Sequence, residues 1–149
     1  QLYIDIQSVR FGERIQAQVE PLPEDCAEVG MPRFILQNLV ENAYKYGVPA
    51  QGAGLIRLRC ESQRDAVYFR VEDNGTQFDE EKLRVLREII ETEREDGLPG
   101  TGLMNIALRL KLHYGQSGLL RLERSALGGL CATVVIPRAQ NGDKSSGQF

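Results

Sequence analysis

Polar residues recur at helical spacing in the segment 38–47, which reads NLVENAYKYG. Asn38 and Asn42 are four residues apart, so their amides share one face of a helix, and Glu41 and Lys45 form a second such pair beside them. Asparagine is a poor residue for a helix interior, so two of them in one turn cost stability. Amide and carboxylate oxygens suit a hydrated Mg²⁺, and a lysine suits phosphate. The alternative is a solvated helix face that carries one Glu–Lys pair.

An aspartate ends a run of alternating apolar residues in the segment AVYFRVEDNG. Asp73 has the same parity as Val67, Phe69 and Val71, so in a strand its carboxylate points into the apolar layer. A buried ionised carboxylate is costly unless it is hydrogen-bonded or paired. The position therefore suits acceptance of a hydrogen bond from an amino group of a ligand. An exposed Asp-Asn-Gly turn is the alternative.

Three glycines, Gly97, Gly100 and Gly102, directly precede an amphipathic segment that begins at Leu103. Closely spaced glycines let backbone N–H groups crowd an anion, and a helix N-terminus adds partial positive charge. Thr101 is predicted to cap this helix. The pattern lacks the Gly-Lys-Ser/Thr of a P-loop, and it follows a helix rather than the strand of a dinucleotide-binding fingerprint. It predicts a phosphate site or, alternatively, a flexible connection between two helices.

The composition argues against several other kinds of protein. Of 149 residues, 42% are hydrophobic and 26% are charged, which is normal for one globular domain. A net charge of -3 argues against a broad nucleic-acid surface. The three cysteines form no CxxC pair and His113 has no Cys or His neighbour, so we expect reduced thiols and no zinc. No apolar run reaches the ~18 residues of a membrane helix, and no signal peptide is visible.

The remaining pattern predicts the elements that position these residues. Apolar residues at helical spacing indicate the end of a helix, then three further helices, and alternating residues indicate five strands. The predicted helices cover 2–11, 32–46, 79–94 and 103–114, and the predicted strands cover 14–20, 55–61, 66–73, 117–124 and 130–137. Hairpins and segregated helices favour an α+β two-layer sandwich.

The order of the three motifs is more specific than any one of them. An N-x-x-x-N helix, a strand ending in D-x-G and a G-x-G before a helix resemble the ATP-binding domain shared by gyrases, heat-shock chaperones, histidine kinases and mismatch-repair ATPases (the Bergerat fold). LQNLVENAYKYG, VEDNG and GTGLMNIALRLKLHYG resemble sensor histidine kinases of the LytS/YesM type. The resemblance covers 14–138, and residues 3–15 resemble the link from the phosphoacceptor helices of that family.

The resemblance implies a mixed five-stranded sheet with three to four helices on one face. It makes 1–12 the end of an upstream helix and 13–138 the catalytic domain. The segment 139–149 is polar and contains Gly and Ser, so it is predicted to be a disordered tail. The implied ligands are ATP and Mg²⁺. Asn42 would ligate the metal, Asn38 would line the same site and Lys45 would contact phosphate. Glu41, the implied catalytic residue, would orient or deprotonate the incoming histidine.

The resemblance also implies an adenine pocket and a lid. Asp73 would accept a hydrogen bond from the adenine amino group, Gly75 would leave room for the ring, and Thr133 would support Asp73 through a water. Tyr46 would stand at the pocket edge, where a histidine is common. The implied phosphate neighbours are Gly100, Thr101, Gly102 and Leu103, and the implied mobile lid runs from Glu80 to Thr101.

The implied reaction is transfer of the γ-phosphate to a histidine on a separate, dimeric helical domain, with a response regulator downstream. The implied location is the cytoplasmic domain of a membrane-anchored bacterial receptor, with no nucleic-acid partner and no membrane contact from this part. An ATP hydrolase or a serine-kinase anti-sigma factor of the same fold is the alternative, but both usually place Glu where Asn38 stands. Gln77 replaces the second glycine of the usual D-x-G-x-G, which leaves a binding module without catalysis as a third reading.

Overall fold

The computed structural model describes residues 15–20, 33–46, 52–76, 79–92, 102–116 and 119–138. The described strands are β1 Ile15–Val19, β2 Gly54–Ser62, β3 Ala66–Asp73, β4 Leu120–Arg124 and β5 Leu130–Pro137. The described helices are α1 Arg33–Tyr46, α2 Glu80–Thr92 and α3 Leu103–Tyr114. The strands form one sheet in the order β1-β2-β3-β5-β4, in which β1 is parallel to β2 and the other pairs are antiparallel. The prediction of an α+β fold with a mixed five-stranded sheet is confirmed.

Two hairpins build the centre of the sheet. Three polar residues join β2 to β3, and the Gln63 amide closes that turn on the Ala66 carbonyl at 2.9 Å. The turn between β4 and β5 contains Gly128, whose φ of 109° favours glycine. In this second turn the Ser125 amide donates to the Gly129 carbonyl at 2.7 Å. The second hairpin brings the start of β5 beside the end of β3.

The core lies between one face of the sheet and the three helices. Cross-strand pairs put the apolar residues of β3 and β5 on the same face, for example Phe69 opposite Val134. Helix α1 packs on β3 and α3, and α2 packs on α3 and β4. The fully buried core residues of the helices include Ile35, Leu39, Leu83, Leu86, Ile106 and Leu110.

The opposite face of β3 carries alternating polar residues. Glu61 accepts a hydrogen bond from the Arg70 guanidinium at 2.6 Å, and Glu72 is paired with Arg59. Glu72 is only 3% exposed, so this pair is shielded from water on its acidic side. Tyr68, Arg70 and Glu72 therefore share the face of β3 that is opposite to the apolar core residues.

Helix α2 corrects the predicted lid. Leu83, Leu86 and Ile89 are all buried, so 80–92 is a helix anchored in the core rather than the first half of a mobile segment. The rest of the predicted lid, 93–101, lies outside the described residues, as do 1–12 and 139–149. The predicted domain boundaries stay predictions. None of the described helices combines the length and hydropathy needed to cross a bilayer.

Candidate nucleotide-binding site

Helix α1 carries the predicted polar strip on the side away from the core. Leu39, Val40 and Ala43 are buried, whereas Asn38 and Asn42 are only half-buried. The strip exists because the apolar residues of α1 recur at helical spacing and leave the intervening positions to polar residues. It therefore presents amide groups at the edge of the core.

The charged pair predicted on α1 is formed. Lys45 Nζ lies 3.1 Å from Glu41 Oε1, and the two side chains are 55% and 39% exposed. An exposed pair of this kind contributes little to stability, typically below about 1 kcal/mol. Both groups are accessible to a partner that approaches α1 from solvent.

Gly102 lies directly against Asn42. Gly102 has φ 67° and ψ -10°, a left-handed conformation that side chains rarely adopt. A Cβ at this position would lie 3.1 Å from Nδ2 and 3.4 Å from Oδ1 of Asn42. The structure thus brings the central residue of the first motif to the glycine that ends the third.

The N-terminus of α3 lies beside Asn42, and its first backbone N–H groups have no side-chain cap among the residues that the structure describes. Gly102, not Thr101, is the N-cap residue. The predicted cap at Thr101 is therefore wrong, because the left-handed Gly102 already forms the boundary and its carbonyl accepts the Ile106 amide at 3.2 Å. The first N–H groups of a helix have no partner within it, and they attract anions. Leu103 is 3% exposed, so its side chain belongs to the core and its backbone lies at this terminus.

Asp73 is buried at the end of β3, as its parity predicted. It is 5% exposed, and its Oδ1 accepts hydrogen bonds from the Gly75 and Leu130 amides, each at 3.0 Å. No residue that the structure describes donates to Oδ2. Burial raises the pKa of Asp73 from its ordinary 3.8 to about 6, and the two backbone hydrogen bonds oppose part of that rise.

The turn after Asp73 is anchored to β2 rather than solvent-exposed. Asn74 Oδ1 accepts the Leu55 amide at 2.8 Å, and its Nδ2 donates to the Ala53 carbonyl at 3.1 Å. Gly75 is buried and its amide is held by Asp73. The alternative of an exposed Asp-Asn-Gly turn is therefore excluded.

Sequence reasoning missed two residues that hold Asp73. The Gly129 amide donates to the Asp73 carbonyl at 3.0 Å, and the Leu130 amide donates to the carboxylate. Neither contact depends on the type of side chain, so no motif marks Leu130. The adjacent glycines 128 and 129 predicted a turn, but only the strand register shows that this turn meets Asp73.

Thr133 is not brought to Asp73. It pairs with Arg70, three residues before Asp73, and alternation puts its side chain on the opposite face of the sheet. Its hydroxyl lies 3.8 Å from the Cys131 sulfur. The prediction that Thr133 supports Asp73 through a water is therefore wrong, because it assumed the position on β5 without the register.

Two predicted site residues, Gly100 and Thr101, lie outside the described residues, and nothing is described of the Tyr46 side chain. Gln77, where the sequence departs from the usual D-x-G-x-G, also lies outside them. Among the residues that are described, no three His, Cys, Asp or Glu side chains come together as a metal site.

Comparison with known proteins agrees with this geometry. Residues 29–140 match the family described as histidine kinase-, DNA gyrase B-, and HSP90-like ATPase. The sensor protein LytS of Bacillus anthracis is 29% identical over 139 residues, which are 93% of this chain and 23% of that protein. The sensor histidine kinase YesM of Bacillus subtilis (strain 168) is 30% identical over 136 residues, 91% of this chain and 22% of YesM.

Solved structures share the fold. The ATP-binding domain of PrrB from Mycobacterium tuberculosis has a TM-score of 0.59 at 24% identity, with 91% of this chain and 88% of that chain covered. The catalytic domain of the histidine kinase ThkA has a TM-score of 0.65 at 20% identity, with 91% and 86% covered.

The chain belongs to the histidine kinase-, DNA gyrase B- and HSP90-like ATPase family. It is an ATP-binding catalytic domain of the kind found in sensor histidine kinases. It spans less than a quarter of the length of the curated relatives above, at 23% and 22%.

Proposed function

We propose that this chain binds Mg²⁺-ATP and transfers the γ-phosphate to a histidine on a separate helical domain. In this reaction a ring nitrogen of the histidine bonds to the γ-phosphorus as the bond to the β–γ bridging oxygen breaks, and ADP leaves. Such a reaction needs positioning and charge neutralisation more than covalent chemistry from the protein. The residues of the candidate site would supply both the positioning and the charge neutralisation.

The observation that carries the proposal is the contact of Asn42 with Gly102. It combines an amide oxygen from α1 with the N-terminus of α3, which no described side chain caps, and these two groups suit a metal and its phosphates. A side chain at Gly102 would fill the space beside the amide. We infer that polyphosphate lies between these two elements, with Asn38 and Lys45 on the same side.

The donor chemistry of Asn42 fits Mg²⁺. This ion takes oxygen ligands and usually keeps several waters, so one amide oxygen with phosphate oxygens suffices. When bound, it would neutralise charge on the phosphates. Asn42 would hold and orient the ion against the α3 terminus.

We assign recognition of the base to Asp73. Its Oδ1 is occupied by two backbone amides, and Oδ2 has no donor among the described residues. A ligand amino group is the natural donor for Oδ2, and the adenine ring has one. Gly75, next to Asp73, would leave room for the ring.

Glu41 is our candidate catalytic residue. It is half-exposed on α1, next to Asn42 in sequence, and can meet an approaching histidine. We propose that it orients the acceptor ring and takes its proton. A hydrolase needs a base to activate water, but Asn38, one helical turn before Asn42, is an amide and cannot serve. Asn at position 38, where hydrolases of this fold usually have Glu, therefore favours a kinase over a hydrolase.

The proposal extends to the whole protein. We expect a dimeric, membrane-anchored bacterial receptor with this domain in the cytoplasm, a phosphoacceptor helical domain before it and a response regulator as the next acceptor. The support is the similarity to proteins named sensor histidine kinases.

Two measurements test the proposal. Isothermal calorimetry of the chain with ATP should show binding that strengthens with Mg²⁺. Labelled ATP should then phosphorylate a histidine on the acceptor domain added in trans, and Glu41→Gln should slow this transfer by more than about tenfold without changing ATP affinity. Release of inorganic phosphate with no labelled acceptor would favour the hydrolase instead.

A further inference from the structure

The turn between β4 and β5 holds Asp73 from the side of the candidate site. The Gly129 amide donates to the Asp73 carbonyl and the Leu130 amide donates to Oδ1, both at 3.0 Å. Two successive amides therefore fix the backbone and the carboxylate of one residue. The direction in which Oδ2 points depends on where this turn lies.

The turn approaches Asp73 so closely that Gly129 has no room for a side chain. A Cβ on Gly129 would lie 2.0 Å from Oδ1 and 2.6 Å from the carbonyl oxygen of Asp73, and 2.6 Å from the Gly75 nitrogen. The φ of Gly129 does not lie in the left-handed region, so a side chain at this position is excluded by lack of space and not by backbone conformation. Any other residue would push the turn away from Asp73.

The same turn is held from the other face of the sheet. Glu72 Oε2 accepts a 2.8 Å hydrogen bond from the Ser125 hydroxyl, and the Arg59 guanidinium donates to Oε1. Glu72 and Ser125 are 3% and 8% exposed. Neighbouring residues of a strand point to opposite faces, so Glu72 and Asp73 hold one turn from two sides.

Ser125 links this back-face contact to the close approach of Gly129. Its amide donates to the Gly129 carbonyl at 2.7 Å, and its hydroxyl also accepts the Leu127 amide at 3.0 Å. A displacement of Ser125 would therefore move Gly129, the residue that contacts Asp73.

We propose that the turn from Ser125 to Gly129 is a positioning element for base recognition, held by Glu72 through Ser125 and fitted to Asp73 by Gly129. This inference rests on the proposed function, since it assigns a role within the same site. The turn meets the Asp73 end of the site, so its disturbance should change recognition of the base amino group rather than binding of the phosphates.

The test compares ATP with inosine triphosphate, whose base carries a carbonyl oxygen in place of the amino group. The wild-type chain should bind ATP about tenfold or more tightly, because a site built around a hydrogen bond rejects a base that lacks it. Ser125→Ala and Gly129→Ala should weaken ATP binding by about tenfold and leave inosine triphosphate within about threefold of wild type. Calorimetry with Mg²⁺ measures both nucleotides, and thermal unfolding verifies that each variant is folded.

Two variants serve as matched controls. Ser62→Ala removes a hydroxyl that also supports a hairpin, where it accepts from Arg138, but at the opposite end of β2 from the Asp73 pairing partner Ile56. Gly115→Ala strains another left-handed glycine, whose φ is 75°, but it lies at the C-terminal end of α3, outside this turn, and its Cβ would meet nothing within 4 Å. Both should lower thermal stability while keeping the wild-type preference for ATP.

The outcomes distinguish base recognition by Asp73 from the positioning of Asp73 by the turn. If the wild-type chain binds no ATP, or binds both nucleotides equally, the assignment of Asp73 fails and the positioning inference falls with it. If the wild type discriminates and folded Ser125→Ala discriminates equally well, the positioning inference alone is wrong. Ser125→Ala creates no clash, so its result decides the question even where Gly129→Ala does not fold.

Discussion

Asp73 and Leu130 lie beside one another where β3 ends and β5 begins, and the Leu130 amide donates a 3.0 Å hydrogen bond to Asp73 Oδ1. The Gly75 amide donates to the same oxygen. Oδ1 of this buried carboxylate therefore accepts hydrogen bonds that stabilise the fold, whereas Oδ2 has no donor among the described residues. The two roles of Asp73 can therefore be tested separately.

Asp73→Asn should weaken ATP binding by about 2 kcal/mol or more, because a hydrogen bond to a buried charged acceptor is lost. The amide oxygen can still accept the Leu130 and Gly75 amides, so the fold should survive. Calorimetry with Mg²⁺-ATP measures the effect, and Asp65→Asn, in the exposed β2–β3 turn, is the matched control. Unchanged ATP affinity in folded Asp73→Asn would disprove base recognition by Asp73.

The raised pKa of Asp73 predicts how the stability of the nucleotide-free chain depends on pH. Below its unfolded value of 3.8 the carboxyl is protonated in both states, and above about 6 it is ionised in both. Its destabilising effect therefore grows as pH rises between these values, to about 3 kcal/mol at most. Asp73→Asn should melt higher than wild type at pH 7.5, and the difference should shrink toward pH 4.5. A difference that does not change with pH would mean that Asp73 titrates normally.

Gly102→Ala should lower both stability and Mg²⁺-ATP affinity. A left-handed φ costs a side-chain residue about 1 kcal/mol, and the new Cβ would crowd Asn42 at 3.1 Å. Gly115→Ala is the matched control, because its φ is 75° at the other end of α3 but nothing lies within 4 Å of its Cβ. Both variants should unfold at lower denaturant concentration, and only Gly102→Ala should lose affinity. Equal affinities would show that the Asn42–Gly102 contact is not part of the site.

Asn42→Ala should abolish most of the effect of Mg²⁺ on ATP affinity. The helix itself should gain slightly, because alanine is the better helix former, by a few tenths of a kcal/mol. Titrations with and without Mg²⁺ measure the metal effect, and Gln37→Ala, exposed on the same helix, is the control. Full metal dependence in folded Asn42→Ala would rule out Asn42 as the ligand.

Local patterns predicted the elements and the burial of Asp73. The apolar alternation of β3 extends to Asp73, and its parity placed that carboxylate inside. The polar strip of α1 followed from spacing in the same way. These features depend on residues close together in sequence, which is why the sequence reveals them.

Features that depend on register were not predictable. Thr133 was assigned to the Asp73 pocket, but the pairing of Thr133 with Arg70 puts it on the opposite face. A shift of one residue in pairing reverses the face of every side chain, and no local pattern specifies which register β5 adopts. The hydrogen bond from the Gly129 amide to the Asp73 carbonyl joins residues that are 56 positions apart in sequence, and it was not predicted for the same reason.

The chain should not phosphorylate itself, and His113 should not be a phosphoacceptor. His113 lies eleven residues after Gly102, near the end of α3, where its ring meets Tyr114 edge-on at 4.6 Å. At about 1.5 Å per residue, that is roughly 16 Å along the helix axis from the proposed phosphate position. In-line attack needs the nucleophile within about 3.5 Å of phosphorus, and a rigid helix cannot close the gap.

Incubation of the chain with labelled ATP should therefore give no acid-labile phosphoprotein. Addition of the phosphoacceptor helical domain should produce label on that domain, at the same rate with wild type and with His113→Ala. His113→Ala is the appropriate control because the residue is half-exposed at the helix end and its loss should leave the nucleotide site intact. Label on the isolated chain that disappears in His113→Ala would place the acceptor within this domain, and it would require the phosphates to bind near the C-terminal end of α3 rather than at Gly102.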